Sequence, residues 1–217
     1  MRRVTIAFTV FGACCVAAPV LFIVAIAADA GAGAVSFRNV SQSMEPTLFA
    51  GELFTARPVP GGSPGAIPRG VLVAHRFPPD PEKEFVKRIV GVPGDTIQMV
   101  NGVVYIDDRA LAEPYAWRAD STSDPVWEDF KWQRDYLTNP TGRDASHYRP
   151  SRNNWGPILV PAGHYVVLGD NRDNSLDSRF WGFITTDDII GFPRRVYFSR
   201  VPRFGRVRWT RIGHRLN

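Results

Sequence analysis

Two cationic residues stand inside a short apolar run that reads Phe85-Val86-Lys87-Arg88-Ile89-Val90-Gly91-Val92-Pro93-Gly94-Asp95. Successive side chains of a strand point to opposite faces, so Phe85, Lys87 and Ile89 share one face. We expect Lys87 to point into the apolar interior, where burial disfavours the charged amine and lowers its pKa. We expect Arg88 to face solvent. The alternative is a surface strand that carries two cations.

Similar short apolar runs recur between turns that contain glycine and proline, a pattern typical of strands. The runs are Leu53–Ala56, Val71–His75, Phe85–Val90, Thr96–Val100, Val103–Ile106, His164–Leu168 and Ile189–Phe198. Asn101 and Gly102 separate two of them and predict a tight hairpin, because both residues accept a positive φ. The sequence therefore predicts a mainly β domain made of residues 35–111 and 157–200.

A cluster of hydroxyl groups lies at residues 41–48, which read Ser41-Gln42-Ser43-Met44-Glu45-Pro46-Thr47-Leu48. Pro46 fixes the local backbone of this turn. Serine-rich turns are common in structural roles, so the segment alone indicates little. Peptide hydrolysis by an activated hydroxyl, however, needs a nucleophile, a base that is neutral at working pH and donors for the oxyanion. This turn and a buried lysine are the kinds of group that such chemistry requires.

A dense polar segment directly follows the predicted strand His164–Leu168. It reads Gly169-Asp170-Asn171-Arg172-Asp173-Asn174-Ser175-Leu176-Asp177-Ser178-Arg179. Its composition predicts a loop that is stabilised by hydrogen bonds and ion pairs among its own residues. We expect this loop to lie close to a functional site and to shape it. The alternative is a purely structural cluster of turns.

Together, these three segments resemble the hallmark boxes of bacterial type I signal peptidase. The matching boxes are Ser43–Leu48, Lys87–Asp95 and Gly169–Arg179, in the order of that family. The resemblance extends more loosely from the amino-terminal apolar segment to about Phe198 and is weakest over residues 112–156. It implies a signal-peptidase-like β catalytic domain that needs no cofactor and no metal, and that removes signal peptides from secretory preproteins.

The resemblance also implies roles for individual residues. Ser43 would be the nucleophile and Lys87 the general base that accepts its proton. The Ser41 hydroxyl and the Ser43 N–H would form the oxyanion hole, and Ser175 would orient the Lys87 amine. Four charged residues would support the Ser175 loop: Asp177 with Arg179 as an ion pair, and Asp170 and Arg172 in similar roles.

The substrate-lining residues follow from the same resemblance. They are Met44, Pro46, Val73, Ala74, His75 and Phe85, of which Met44 and Pro46 would also position the nucleophile's turn. Substrates of the family carry small residues, often Ala, at the first and third positions before the cut. The chain departs from the family pattern at Val71, where Asp is usual, at Ala74, where a larger aliphatic residue is usual, and at His75, where Phe is usual. These departures leave the Ser/Lys pair intact and affect side-chain preference.

An uncharged apolar segment, Val4–Ala28, follows Arg2 and Arg3. As a helix rising ~1.5 Å per residue, it is long enough to cross a hydrocarbon core of ~30 Å, and Pro19 is tolerated there. We predict one transmembrane anchor in the plasma membrane, with residues 1–3 inside and the catalytic domain outside, joined by a flexible segment at residues 29–34. A cleavable signal peptide is the alternative, since Ala28-Asp29-Ala30 looks like a cleavage site. Its apolar run exceeds the usual length of about 7 to 15 residues.

The formal net charge of +5 arises at the carboxyl end. Residues 193–217 contain eight arginines and no acidic residue, which leaves residues 1–192 with 18 basic and 21 acidic residues, a net charge of −3. This distribution and the lack of zinc-finger spacing argue against nucleic-acid binding. The basic tail, residues 201–217, suits contact with membrane lipid of anionic character, or it is simply solvated.

Cysteine and tryptophan positions restrict the remaining possibilities. Cys14 and Cys15 are adjacent in the apolar segment and cannot cross-link the body, and the sequence has no Cys/His cluster with metal-binding spacing. Residues 112–156 lack a regular hydrophobic period and predict an inserted lobe or long loop, whose aromatic side chains we expect to pack on the core. Its tryptophans are Trp117, Trp127, Trp132 and Trp155.

Three other functions fit parts of this sequence. Self-cleaving Ser/Lys repressors share the chemistry, but the apolar segment Val4–Ala28 argues against them. A specialised maturation or conjugative-pilus peptidase of the same superfamily would differ only in substrate. A membrane-anchored binding module without catalysis would be expected to lack Ser43 or Lys87, and both are present.

Overall fold

The computed structural model describes residues 33–59, 66–118, 124–138 and 147–216. In these ranges the chain forms eleven strands, arranged in two antiparallel sheets, and a few short helices. The mainly β architecture predicted from the sequence is therefore confirmed. None of the helices in these ranges is long and apolar enough to cross a membrane. The predicted anchor, Val4–Ala28, lies outside the described residues.

The larger sheet has seven strands and carries most of the predicted runs. Its spatial order is β1 (Val35–Arg38), β2 (Glu52–Pro58), β11 (Ile189–Ser199), β3 (Leu72–Phe77), β4 (Asp80–Gly91), β9 (His164–Leu168) and β10 (Ile184–Thr185). Each predicted run within it coincides with a strand to within a few residues at either end. β4 extends furthest beyond its prediction, because Asp80–Glu84 continue the pairing with β3 past the apolar run.

The smaller sheet has the order β7 (Arg109–Ala110), β6 (Val103–Ile106), β5 (Thr96–Val100) and β8 (Trp155–Leu159). Asn101 and Gly102 join β5 to β6 with φ of 49° and 80°, which confirms the predicted tight hairpin. The sequence did not indicate β8, because Gly156 and Pro157 interrupt its apolar residues. This strand crosses the expected boundary between the inserted segment and the catalytic domain.

The middle of β4 is covered on both faces, which corrects the expectation for Arg88. Lys87 and Arg88 are both 3% exposed although they point to opposite sides of the strand. Arg88 does not face solvent, because β4 lies between β3 and β9 at this point. Its guanidinium instead donates to both oxygens of Asp170, at 2.9 and 2.7 Å.

Residues 201–216, within the segment expected to form a basic tail, fold back on the larger sheet. Leu216 is 3% exposed and packs with a hydrophobic cluster that includes Phe54 of β2. Arg211 forms an ion pair with the fully buried Glu52 at 2.8 Å. Phe204 and Trp209, in contrast, are 74% and 75% exposed.

Residues 124–138 pack beside the polar loop at 169–179. A 3₁₀ helix, Glu128–Tyr136, buries Phe130 completely. The Phe130 ring meets Phe180 edge-on, with 4.8 Å between the ring centroids. The Trp132 indole N–H donates to the carbonyl of Arg179 at 3.0 Å. These aromatic side chains pack on the body, whereas Trp117 is 49% exposed.

Candidate active site

The turn that carries Ser43 is fixed by apolar side chains on either side of it. Met44 and Leu48 are 1% and 0% exposed and belong to the cluster that contains Phe54 and Leu72. The Leu48 N–H donates to the Met44 carbonyl at 2.8 Å, which closes one helical turn. This packing leaves Ser43 at the rim of a groove with 7% of its surface exposed.

Lys87 reaches this turn from β4. Its Nζ lies 2.7 Å from Ser43 Oγ and 5.3 Å from the centroid of the Phe85 ring. Burial lowers the pKa of Lys87 to about 8, against the attraction of the Asp177 and Asp170 carboxylates. About one amine in ten is therefore neutral at pH 7, and this neutral form can accept a proton from a hydroxyl.

Ser41 also contacts the Ser43 hydroxyl. The two hydroxyl oxygens are 3.0 Å apart, and the Ser43 N–H donates to Ser41 Oγ at 3.4 Å. Ser41 is exposed at the groove, whereas Ser43 is buried beneath it. A hydroxyl and a main-chain N–H thus stand together next to the candidate nucleophile.

The polar loop contains a fully buried ion pair. Arg179 donates to Asp177 from Nε at 2.8 Å and from a terminal nitrogen at 2.8 Å, and both residues are at most 1% exposed. Burial pushes the pKa of Asp177 upward, but the charge and hydrogen bonds of Arg179 outweigh this effect and lower it. Asp177 also accepts from the Gly169 N–H at 3.1 Å.

The hydroxyl of Ser175, in the same loop, has no hydrogen-bond partner in the described part of the chain. The residue is 9% exposed. A Cβ at Gly169 would lie 2.1 Å from Ser175 Oγ and 2.5 Å from the Ser43 carbonyl oxygen. Gly169 therefore lets the Ser175 loop and the Ser43 turn approach each other closely.

Asp170 and Arg172 are buried in two separate pairs. Asp170 accepts from Arg88 and from the Thr47 hydroxyl, the latter at 2.5 Å, so it links the β4 strand to the nucleophile's turn. Arg172 pairs with Glu113 through two hydrogen bonds of 2.8 and 2.5 Å. Sequence reasoning missed Thr47 and Glu113 as contributors, although Thr47 stands in the quoted turn.

A groove of about 460 Å³ opens beside Ser43. Of the six residues expected to line the substrate site, Ala74 and Phe85 line this groove. Met44, Val73 and His75 are instead at most 1% exposed in the body, and Pro46 lies in the turn beyond the groove. Val73 and His75 point to the opposite side of β3 from Ala74, the side of their cross-strand partners Lys87 and Phe85, which cover them.

His75 is a buried neutral side chain. Burial lowers its pKa to about 4, and one ring nitrogen lies 2.7 Å from the Arg76 carbonyl. Its ring meets those of Phe85 and Trp181, with 6.2 Å between centroids in each pair. Within the described ranges, no group of His, Cys, Asp and Glu side chains is arranged to hold a metal ion.

The geometry agrees with the comparison to known families. A profile of the family described as signal peptidase, peptidase S26, matches residues 10–198. The chain belongs to the S26 signal peptidase family. Members of the family are serine endopeptidases, and this S26 peptidase is accordingly one of them.

Two relatives support the assignment by their sequences. Signal peptidase I of Pseudomonas aeruginosa is 30% identical over 207 residues, which cover 79% of this S26 peptidase and 69% of the relative. Signal peptidase IB of Staphylococcus aureus is 34% identical over 151 residues, which cover 69% and 70% of the two chains. A crystal structure of signal peptidase I from Enterococcus faecalis aligns with 58% of this chain and 95% of its own, at 26% identity and a TM-score of 0.39.

Proposed function

We propose that this chain is a membrane-anchored endopeptidase that removes amino-terminal signal peptides from secreted preproteins with a Ser43/Lys87 dyad. The observation that carries the proposal is the 2.7 Å contact between a buried lysine amine and the Ser43 hydroxyl. The pKa of Lys87, lowered to about 8 by burial, supports a neutral amine as base. Membership of the S26 signal peptidase family supports the choice of substrate class.

The first half of the reaction would form an ester on Ser43. As Ser43 Oγ attacks the carbonyl carbon of the scissile bond, its proton passes to Lys87 Nζ. The developing oxyanion would be met by the Ser41 hydroxyl and the Ser43 N–H, which stand together at the groove. Lys87 would then return the proton to the leaving amine, and the mature protein would depart with a new amino terminus.

The second half would hydrolyse the ester. A water molecule gives its proton to Lys87 as its oxygen attacks the acyl carbon, and Lys87 then protonates Ser43 Oγ as the signal peptide leaves. Ser175 would orient the amine during both halves. Its buried hydroxyl has no partner in the described chain and is therefore available to the Lys87 amine, which supports this role.

Supporting residues would keep this arrangement rigid. The ion pair of Asp177 with Arg179 would hold the Ser175 loop, and the Gly169 N–H bond to Asp177 ties that loop to the end of β9. Asp170 would tie the nucleophile's turn to β4 through Thr47 and Arg88. Met44 would anchor the turn by packing in the hydrophobic cluster, and Arg172 would hold Glu113 in place through their ion pair.

The location would be the outer face of the plasma membrane. Residues 4–28 would span the membrane once, with residues 1–3 inside and the catalytic domain outside. Residues 112–156 would form a lobe whose aromatic side chains pack beside the Ser175 loop, as Phe130 and Trp132 do. The arginines beyond residue 193 would face membrane lipid where they are exposed.

Cleavage of purified preproteins by the detergent-solubilised full chain tests this function. We expect a single cut after a small-x-small sequence, identified by sequencing the new amino terminus, and no cut with Ser43→Ala. A folded chain that leaves several secretory preproteins intact but cuts one dedicated substrate would favour the specialised maturation peptidase instead. A folded chain that cuts none would favour the binding module.

A further inference from the structure

Asn39 lies at the edge of the groove, four residues before Ser43. Its side chain is 8% exposed although it borders the space that a substrate would occupy. Its main chain is fixed to the beginning of β2, since its N–H donates to the Glu52 carbonyl and its carbonyl accepts from the Gly51 N–H, both at 2.8 Å. Asn39 is therefore a rigid point from which a side chain can act on its neighbours.

The amide of Asn39 is used completely within the nucleophile's loop. Its Nδ2 donates to the carbonyl of Ser41 at 2.9 Å and to the carbonyl of Leu48 at 3.2 Å. Its Oδ1 accepts from the Ser41 N–H at 3.3 Å. One side chain thus bonds to both main-chain groups of Ser41 and also reaches the far end of the same loop.

This arrangement matters because Ser41 is exposed. Ser41 lies at the groove surface and cannot be fixed by burial, unlike Met44 and Leu48. Its hydroxyl must nevertheless stay 3.0 Å from Ser43 Oγ to assist the reaction. A displacement of about 1 Å at a reacting group can reduce a rate by about 100-fold, so the main chain of Ser41 needs an independent support.

We propose that Asn39 is a positioning residue for the reaction, whose amide holds the Ser41 main chain so that the Ser41 hydroxyl faces the oxygen that becomes negatively charged. The inference rests on the proposed Ser43/Lys87 function and deepens it. A buried amide is unfavourable unless it is hydrogen-bonded, and an apolar side chain would fill the same space without holding Ser41.

Kinetics of two Asn39 variants test the proposal. Asn39→Leu removes all three hydrogen bonds, whereas Asn39→Asp keeps the acceptor for the Ser41 N–H and loses both donors. We expect Asn39→Leu to lower kcat by about 10- to 100-fold with KM changed less than about threefold, and Asn39→Asp to lie between it and the wild type. A kcat for Asn39→Leu within about twofold of wild type would overturn the proposal.

A double-mutant cycle separates positioning from general destabilisation. If Asn39 acts through Ser41, adding Asn39→Leu to Ser41→Ala lowers kcat little further than Ser41→Ala alone. Independent, multiplicative losses in the double variant would overturn the proposal, because they would show that Asn39 acts elsewhere. The rates are divided by the fraction of folded enzyme from the thermal transition, so that loss of folded protein is not counted as loss of kcat.

A matched control is Gln98→Leu, which removes an amide on β5, in the smaller sheet, that donates to Asp108 at 3.1 Å. Its kcat should equal that of the wild type. Failure of the proposed function would be visible separately, because Ser43→Ala and Lys87→Ala would then retain cleavage. If those two variants lose cleavage while Asn39→Leu keeps wild-type activity, the positioning role of Asn39 is rejected and the Ser43/Lys87 dyad is retained.

Discussion

At the scale of single residues, the proposed chemistry depends on the Lys87 amine, whose charged form is disfavoured by burial. Lys87 is 3% exposed, and burial lowers its pKa to about 8. Asp177 and Asp170 oppose the shift without cancelling it, because each already pairs with an arginine. The result is a lysine that contacts Ser43 and has a pKa of about 8, well below the ordinary lysine value.

The same burial predicts an effect of Lys87 on stability. Because its pKa is lower in the folded chain than in the unfolded chain, the wild type gains stability as pH rises through the interval between about 8 and the ordinary lysine value of about 10.4. We expect Lys87→Met to unfold at higher urea concentration than the wild type near pH 7, by up to about 3 kcal/mol, with the difference shrinking as pH approaches 10.

Urea unfolding of both chains at several pH values checks this expectation. Lys83→Met is the control, because Lys83 has 64% of its side chain exposed, and its effect should stay within about 0.5 kcal/mol. A Lys87→Met chain that is equally destabilised at all pH values would contradict the burial argument.

At the scale of elements, two loops must approach each other closely to form the site. The Asn171 N–H donates to the Ser43 carbonyl at 3.1 Å, and Thr47 donates to Asp170. Gly169 makes this approach compatible with the end of β9, since a side chain there would collide with Ser175 and with the Ser43 carbonyl. The position of Ser43, the proposed nucleophile, is thus set by contacts between segments more than 120 residues apart.

Gly169→Ala should therefore separate the two loops. We expect cleavage to fall by about 100-fold or more and stability to fall by about 1 to 3 kcal/mol. Cleavage assays and thermal unfolding measure the two effects. Gly163→Ala is a useful control, because its Cβ would meet open space, although φ there is +73°. It should lose some stability and keep its cleavage rate, and wild-type activity in Gly169→Ala would refute the close-approach argument.

At the scale of the whole molecule, the carboxyl-terminal residues pack against the larger sheet and the Ser43 turn. Arg211 donates to both oxygens of Glu52 at 2.8 and 3.0 Å and to the Thr47 carbonyl at 2.8 Å. Glu52 is 0% exposed, so removal of its cation would leave a buried carboxylate without its ion-pair partner. The end of the chain therefore supports the nucleophile's turn.

Arg211→Met should destabilise the fold by about 3 kcal/mol, because hydrogen bonds from Ser199 and the Phe49 N–H only partly stabilise the Glu52 carboxylate. Denaturant unfolding provides the measurement. The exposed Arg203 gives the comparison, since Arg203→Met should change stability by no more than about 0.5 kcal/mol. Equal changes in the free energy of unfolding for the two substitutions would mean that the ion pair of Arg211 with Glu52 does not stabilise the fold.

Local features of the fold were predictable from the sequence, and features that depend on distant partners were not. The strands with regular alternation and the Asn101-Gly102 hairpin follow from patterns a few residues long. Arg88 was placed wrongly because its partner, Asp170, lies 82 residues away and no local pattern indicates the pair. The short strand β8, which pairs with β5, was not predicted, because Gly156 and Pro157 interrupt the apolar pattern of its sequence.

The candidate site shows the same division. The resemblance of three segments to signal peptidases indicated Ser43, Lys87 and the Asp177 loop, whereas each segment alone would have indicated little. Asn39 was not predicted, because a single asparagine before a turn forms no recognisable sequence pattern. Its proposed positioning role depends on three-dimensional contacts with Ser41. Alternation along β3 could not have separated Ala74, which lines the groove, from the buried His75, because His75 shares its face with its partner Phe85, which also lines the groove.

The measurement that tests the Ser43/Lys87 dyad most directly is the pH dependence of single-turnover cleavage by the full wild-type chain. Deprotonation of Lys87 should activate the base, so the rate should rise with pH and level off above a midpoint near 8. Lys87→Ala should remain inactive across the same range while staying folded. A wild-type rate that is constant from mildly acidic to alkaline pH would contradict a lysine base.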